Sequence, residues 1–123
     1  MAFLFKKLDV YRLVNDFVRE ASQMTDKFGP KQFALSDQLR RASISISANI
    51  AEGYGRWHIK EKSQFYRIAL GSANECAALL DAACEQGVIS PEKRDSLCNA
   101  LDRVCKMLQN LIRSISRRNP SRL

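Results

Sequence analysis

The sequence predicts an all-α protein, a single antiparallel up-down-up-down four-helix bundle whose third and fourth helices are longer than the first two. Apolar residues recur at spacings of three and four through four long segments, the periodicity of a helix with one buried face. Only three prolines and five glycines punctuate the chain. At 123 residues it can bury on the order of two-thirds of its unfolded surface around one core. A content of 46% hydrophobic and 27% charged residues is that of an ordinary globular domain.

The first helix is predicted over 9–25, because Val10, Leu13, Val14, Phe17, Ala21 and Met24 share one face. Asp9 is read as its N-cap, with Leu8 before it as a hydrophobic staple. Arg12, Asp16, Arg19 and Glu20 fall on the solvated side. The segment Asp26 to Gln32 contains Gly29-Pro30 and breaks the period, so it is a connection.

Ser36 is read as the cap of the second helix, over 36–53, with Leu35, Leu39, Ala42, Ile46 and Ile50 as its apolar stripe. Ile44 and Ala51 widen that stripe beyond one seam, which suggests contact with more than one neighbour. Gly53 is expected to end the helix, since glycine adopts the left-handed conformation of a C-terminal cap without penalty.

The third helix is predicted over 60–86, with Phe65, Ala69, Ser72, Cys76, Leu79, Leu80 and Ala83 inward. Its small side chains allow close axes, and Gly71 with Ser72 is the expected point of closest approach. Gly87 ends this helix, and Ser90-Pro91 opens the fourth as N-cap and first helical residue. The stripe Leu97, Ala100, Leu101, Val104, Leu108, Leu111, Ile112 and Ile115 carries it over 91–117. The bundle thus occupies 1–118 and 119–123 form a frayed basic tail. At about 27 residues each, the last two helices should span about 40 Å against about 25 Å for the first two.

The net charge of +7 is sorted along the chain. Residues 1–53 carry +2, 54–74 carry +3, 75–102 carry −4 and 103–123 carry +6. Up-down topology turns this order into geometry. Lys6, Lys7, Arg12, Arg56, Lys60, Lys62, Arg67, Arg113, Arg117 and Arg118 are predicted at one bundle end, and Glu85, Glu92 and Asp95 at the other.

Within the second helix, Arg41, Ser45, Asn49 and Glu52 line a polar stripe beside the apolar one. Such a stripe is costly to bury without partners, and Ser72 and Glu75 on the third helix are the candidates. An interhelical network is expected in which Arg41 or Asn49 bonds Glu75.

Three runs carry a family resemblance. Gln38-Leu39-Arg40-Arg41-Ala42, Asn49-Ile50-Ala51-Glu52-Gly53 followed by Gly55-Arg56, and Ala69-Leu70-Gly71-Ser72 followed by Glu75 resemble the family of the 23S ribosomal RNA intervening-sequence protein. The opening Phe5-Lys6-Lys7-Leu8-Asp9-Val10-Tyr11 is similar to that family's start, and the likeness runs over roughly residues 5 to 115. It implies a bacterial cytosolic homopentamer of four-helix bundles with no catalytic activity. More distantly the chain is similar to the accessory variability protein of diversity-generating retroelements, which implies nucleic acid and a reverse-transcriptase-like protein as partners.

Three functional classes can be weighed on the residues. Cations at one end could displace counterions from phosphates of RNA or DNA, and Tyr54, Trp57 and His58 among them could stack on unpaired bases. Alternatively, the wide apolar arc of the second helix serves an assembly or scaffold module without nucleic acid. An enzyme is least supported, and no catalytic residue is assigned: there is one histidine, no glycine-rich phosphate loop and no nucleophile with a recognisable base. No cofactor or metal site is expected, because Cys76, Cys84, Cys98 and Cys105 form no paired ligand spacing. They read as free thiols among apolar residues, which fits a reducing compartment. The N-terminal apolar run is too short for a secretory signal, and no 18-residue apolar stretch is present, so the expectation is a cytoplasmic protein away from the membrane.

Overall fold

The computed structural model describes residues 3–118; the predicted tail, 119–123, lies outside the described residues. Four helices make up the fold: α1 (Asp9–Thr25), α2 (Phe33–Gly55), α3 (Ile59–Glu85) and α4 (Pro91–Arg118). Short 3-10 turns at Leu4–Lys7 and Pro30–Gln32 precede α1 and α2. Helices adjacent in sequence are adjacent in space, and α4 closes back onto α1. The bundle is all-α and antiparallel. At 17, 23, 27 and 28 residues, α3 and α4 are the longer pair. The second helix nevertheless exceeds its expected length and spans about 35 Å.

The core follows the predicted stripes. Val14, Phe17, Leu39, Ile46, Ile50, Leu80, Leu97, Val104 and Leu108 are fully buried. Tyr66 joins them as the largest fully buried side chain, where Phe65 had been placed; Phe65 is only half-buried. The free cysteines fall as expected among apolar residues, with Cys76 buried and the others partly so. Burial first, and then the nearby Glu75 carboxylate, push the Cys76 thiol up to about 12.

Four local expectations are corrected. Asp9 is the first helical residue and Leu8 the cap position, so the Asp9 carboxylate favours α1 through the charge at its N-terminus and makes no capping hydrogen bond. Ser36 does not cap α2. It is buried one turn inside the helix, and its Oγ donates to the Phe33 carbonyl at 3.1 Å. The turn Pro30–Gln32 feeds directly into Phe33, so α2 begins three residues early. Gly53 does not stop the helix either, for α2 continues to Gly55, and Gly87 is the positive-φ glycine of the chain.

What Gly53 provides is proximity. A Cβ there would lie 2.8 Å from Tyr66 Cε1 and 3.1 Å from Phe65 Cβ, so α2 and α3 touch backbone to ring at this point. Gly71, the expected contact, is exposed and has no atom within 4 Å of where its Cβ would be. Its neighbour Ser72 does face α2.

The two ends of the bundle turn differently. At the α3–α4 end Gly87, at φ 73°, closes a Schellman motif: its N–H donates to Cys84 O and that of Val88 to Ala83 O, each at 2.9 Å. Ser90 then caps α4 by accepting the Lys93 N–H at 3.0 Å. Glu85, Glu92 and Asp95 lie around this turn, as the charge order requires.

Candidate nucleic-acid interface

The other end gathers the start of α1, the end of α2, the start of α3 and the end of α4 around a depression of about 650 Å³, with a second groove of about 700 Å³ beside it lined by Trp57, His58, Ile59, Lys60, Glu61 and Gln64. Leu8, Ile59, Tyr66, Leu111 and Ile115 give the depression an apolar floor, and Tyr54, Trp57, Arg56, Lys62 and Arg118 form its walls. No carboxylate, imidazole, thiol or hydroxyl other than tyrosine lines it among the described residues. Burial, and secondarily the charge on Tyr54, push the Tyr66 phenol up to about 12.

Two of these cations, Lys62 and Arg56, are held by their own neighbours. Lys62 projects from the first turn of α3 to the end of α2, where its Nζ donates to Tyr54 O at 2.6 Å and Gly53 O at 3.3 Å. The last carbonyls of a helix lack intrahelical partners, so a cation placed there satisfies both hydrogen bonding and dipole. The same ammonium lies 5.4 Å from the Tyr54 ring centre. Partial burial and then the adjacent Arg118 charge lower its pKa from the usual lysine range. Arg56 pairs with Glu52 at 3.2 Å and stacks over Phe65 at 4.8 Å. Arg118 stands in the last turn of α4, exposed at the rim.

The remaining predicted cations do not line this depression. Lys6 and Lys7 lie on the exposed turn before α1, with Lys6 Nζ 5.6 Å from the Phe3 ring centre. Arg12 is exposed on α1. Lys60 and Arg67 border a shallower groove on α3 with Gln64 and Ile68. Arg113 donates to Asn110 Oδ1 at 3.0 Å, and Arg117 is exposed beside Arg118. The helical stretches meeting here thus carry ten cations against Asp9, Glu52 and Glu61.

Residues 6–110 match the sequence profile of the family described as 23S rRNA-intervening sequence protein. The chain belongs to that family. A solved crystal structure of a protein of unknown function from Bacteroides thetaiotaomicron, assigned to the S23 ribosomal protein family, superposes with a TM-score of 0.79. It is 26% identical, and the match covers 84% of this chain and 97% of that one. No curated protein matches the chain.

The family's polar signature on α2 divides in two. Ser45 Oγ and Ser72 Oγ are hydrogen-bonded at 2.9 Å, and Asn49 Nδ2 donates to Ser45 O at 2.8 Å and Ser45 Oγ at 3.1 Å. These three residues form the α2–α3 link. Arg41 takes no part: its side chain is 81% exposed and pairs with Asp37 at 3.1 Å on its own helix. Glu52 likewise turns to Arg56, and Glu75 is exposed. The expected contact of Arg41 or Asn49 with Glu75 is therefore absent.

Sequence reasoning found the cations and the wall aromatics but missed the floor. Ile59, Tyr66, Ala69, Ala73, Cys76, Leu80 and Ala83 recur at spacings of seven, three and four, an apolar signal that places Tyr66 inward. Leu8, Leu111 and Ile115 were visible as apolar residues, but only the crossing of helix ends makes them one surface.

Proposed function

We propose that this member of the 23S rRNA-intervening sequence protein family is a non-enzymatic, oligomeric, cytoplasmic protein that binds nucleic acid through its basic bundle end. The observation that carries the reading is the convergence of ten cations on that end, with the single tryptophan 85% exposed among them. Phosphate neutralisation by such a surface drives binding through counterion release, and an exposed indole is a platform for an unpaired base. The walls of cations and aromatics around the 650 Å³ depression are suited to holding an anion and a flat ring, which supports binding.

Fluorescence anisotropy with a labelled single-stranded or hairpin RNA tests this directly. If five cations engage the phosphates of the single strand, the salt slope is about −3.5 and affinity falls about 130-fold between 50 and 200 mM salt. Binding that is flat across that range refutes the electrostatic reading.

A second reading rests on a different surface. Ile44 on α2 is 55% exposed and Ile68 on the adjoining α3 is 44% exposed, two large aliphatic side chains left uncovered on the pair of helices that pack together most extensively. This supports self-association, of which the pentamer implied by the resemblance is the specific form, and a scaffold role without nucleic acid would need nothing else. Light scattering after size exclusion tests it; a stable monomer at micromolar concentration, unchanged by Ile44→Asp, rejects assembly.

A further inference from the structure

The depression at the basic end differs from the surface around it. A strand lying across exposed lysines needs no cavity, yet here the cations Arg56, Lys62 and Arg118 surround an apolar floor. Its volume of about 650 Å³ is in the range of pockets that enclose one small ligand, and is too small for a duplex. Two of the three ammonium N–H groups of Lys62 are taken by the carbonyls of Gly53 and Tyr54, which leaves one for the pocket. Arg56 gives one edge of its guanidinium to Glu52 and keeps further donors. Trp57 presents its ring at the mouth, 85% exposed, where no intramolecular packing accounts for it.

We propose that this pocket takes a single nucleotide bearing a terminal phosphomonoester, with the phosphate held by Arg118, Arg56 and Lys62 and the base stacked on Trp57. The inference rests on the nucleic-acid reading of this end and names the part of the nucleic acid that enters. A phosphodiester within a strand carries one negative charge, whereas a terminal phosphomonoester carries about −1.5 to −2 at neutral pH. Three cations converging on one cavity favour the latter. Partial burial and the nearby Arg118 charge depress the Lys62 pKa, and a bound dianion would relieve that repulsion. The apolar floor suits the face of a sugar and base, and an aromatic platform accepts any base. The same chemistry is offered by the end of a strand and by a free nucleotide.

Because Trp57 is the only tryptophan, its fluorescence reports stacking without a label. The full chain is titrated with adenosine 5′-monophosphate, adenosine, inorganic phosphate and a phosphotyrosine peptide. It is then titrated with one single-stranded oligonucleotide carrying either a 5′-phosphate or a 5′-hydroxyl. Quenching by the monophosphate at least about tenfold tighter than by adenosine is expected, as loss of charge-assisted hydrogen bonds predicts. The phosphorylated strand should exceed its hydroxyl form by a similar factor if strand ends are the source. If only the free monophosphate shows the effect, free nucleotide is the source and the inference still holds.

Two variants localise the site. Gly55 lines the pocket, and an added Cβ there meets no atom within 4 Å, so Gly55→Leu adds bulk at the pocket wall without a clash. Gly55→Leu and Arg118→Glu should each abolish the phosphate preference, while Arg67→Glu, outside the pocket, should weaken strand binding and leave the preference intact. Equal affinity for phosphorylated and hydroxyl strands, together with no monophosphate binding, overturns the pocket while leaving the basic-end reading standing. A phosphotyrosine peptide bound more tightly than the monophosphate also overturns it. Monophosphate binding with no strand binding at all sinks the nucleic-acid reading and keeps the pocket as a nucleotide site.

Discussion

Replacing Gly53 by alanine tests the close approach of α2 and α3, because the same substitution elsewhere in this protein should have the opposite sign. In a helix interior alanine is favoured over glycine by about 1 kcal/mol. At Gly71, exposed and with no atom within 4 Å of an added Cβ, that gain should be realised at about 0.5–1 kcal/mol. At Gly53 the added Cβ would lie 2.8 Å from Tyr66 Cε1, 3.0 Å from Tyr66 Cδ1 and 3.1 Å from Phe65 Cβ. Carbon atoms prefer about 3.5–4.0 Å, so the helices must separate or the ring must move. The Tyr66 side chain is only 2% exposed and has no room to swing, and Phe65 Cβ is fixed to its backbone.

Overpacking of this kind costs about 1–3 kcal/mol, which outweighs the helix gain and leaves Gly53→Ala about 1 kcal/mol less stable than the parent. The gap between the two variants should be about 1–3 kcal/mol. Urea unfolding followed by far-ultraviolet circular dichroism, at one protein concentration so that any association is held constant, measures it as a shift in midpoint at unchanged slope. A Gly53→Ala protein as stable as Gly71→Ala would refute the argument, because it would mean that an added Cβ at Gly53 meets no steric resistance from α3.

Other outcomes follow from the same contacts. A double-mutant cycle between Ser45 and Ser72 should show coupling of about 0.5–1.5 kcal/mol, and one between Arg41 and Glu75 none beyond about 0.3 kcal/mol. Lys62→Met keeps the aliphatic stem but uncaps the α2 carbonyls, and should lower stability by about 1–2 kcal/mol in the same unfolding assay. The Tyr66 phenol, raised to about 12 in the fold against about 10 unfolded, contributes stability that is complete below pH 10 and lost as pH rises toward 12. Unfolding midpoints followed across that window should fall, and Tyr66→Phe should flatten the fall. Cys76, fully buried with its thiol pushed up to about 12, should resist alkylation in the native state and react only on unfolding, as mass spectrometry of the labelled peptides would show.

The helices and their order were legible because each buried face repeats at the helical period over four or more turns. Glycines were not, because their two uses leave the same letter. Gly87 terminates a helix through its own backbone conformation, whereas Gly53 serves a ring on another helix, and only the partner distinguishes them. Ser36 failed for a related reason: a serine can cap a helix from outside or bond its own turn from inside, and the residues before it, Lys31 to Phe33, carry no periodicity to show that the helix had begun. The polar stripe of α2 shows how angle decides. At about 100° per residue, Glu52 lies about 20° from Arg41 around the helix axis, Ser45 about 40° and Asn49 about 80°. Arg41 and Glu52 fall on the solvent side and pair locally, while Ser45 reaches Ser72 and Asn49 donates to Ser45. Spacing alone treated the four as one stripe, but the boundary with α3 cuts through it.

The two turns of the bundle differ in how they satisfy their helix ends, and the difference bears on the proposed pocket. At the acidic end, the carbonyls of α3 are satisfied by backbone N–H groups in a Schellman turn, and no charged side chain is needed to hold it. At the basic end the chain leaves α2 through extended backbone at Arg56, and Lys62 reaches across from α3 to take the carbonyls of Gly53 and Tyr54. The cation that closes the helix is thus also a wall of the pocket. Gly53 permits the close approach to Tyr66 and Phe65 at the same junction, and Tyr66 forms part of the floor beneath Lys62. The α2–α3 contact and the pocket are one construction. An anion in the pocket would meet Lys62 already fixed by the fold, with little side-chain entropy left to lose, and so would bind to a site organised before it arrives.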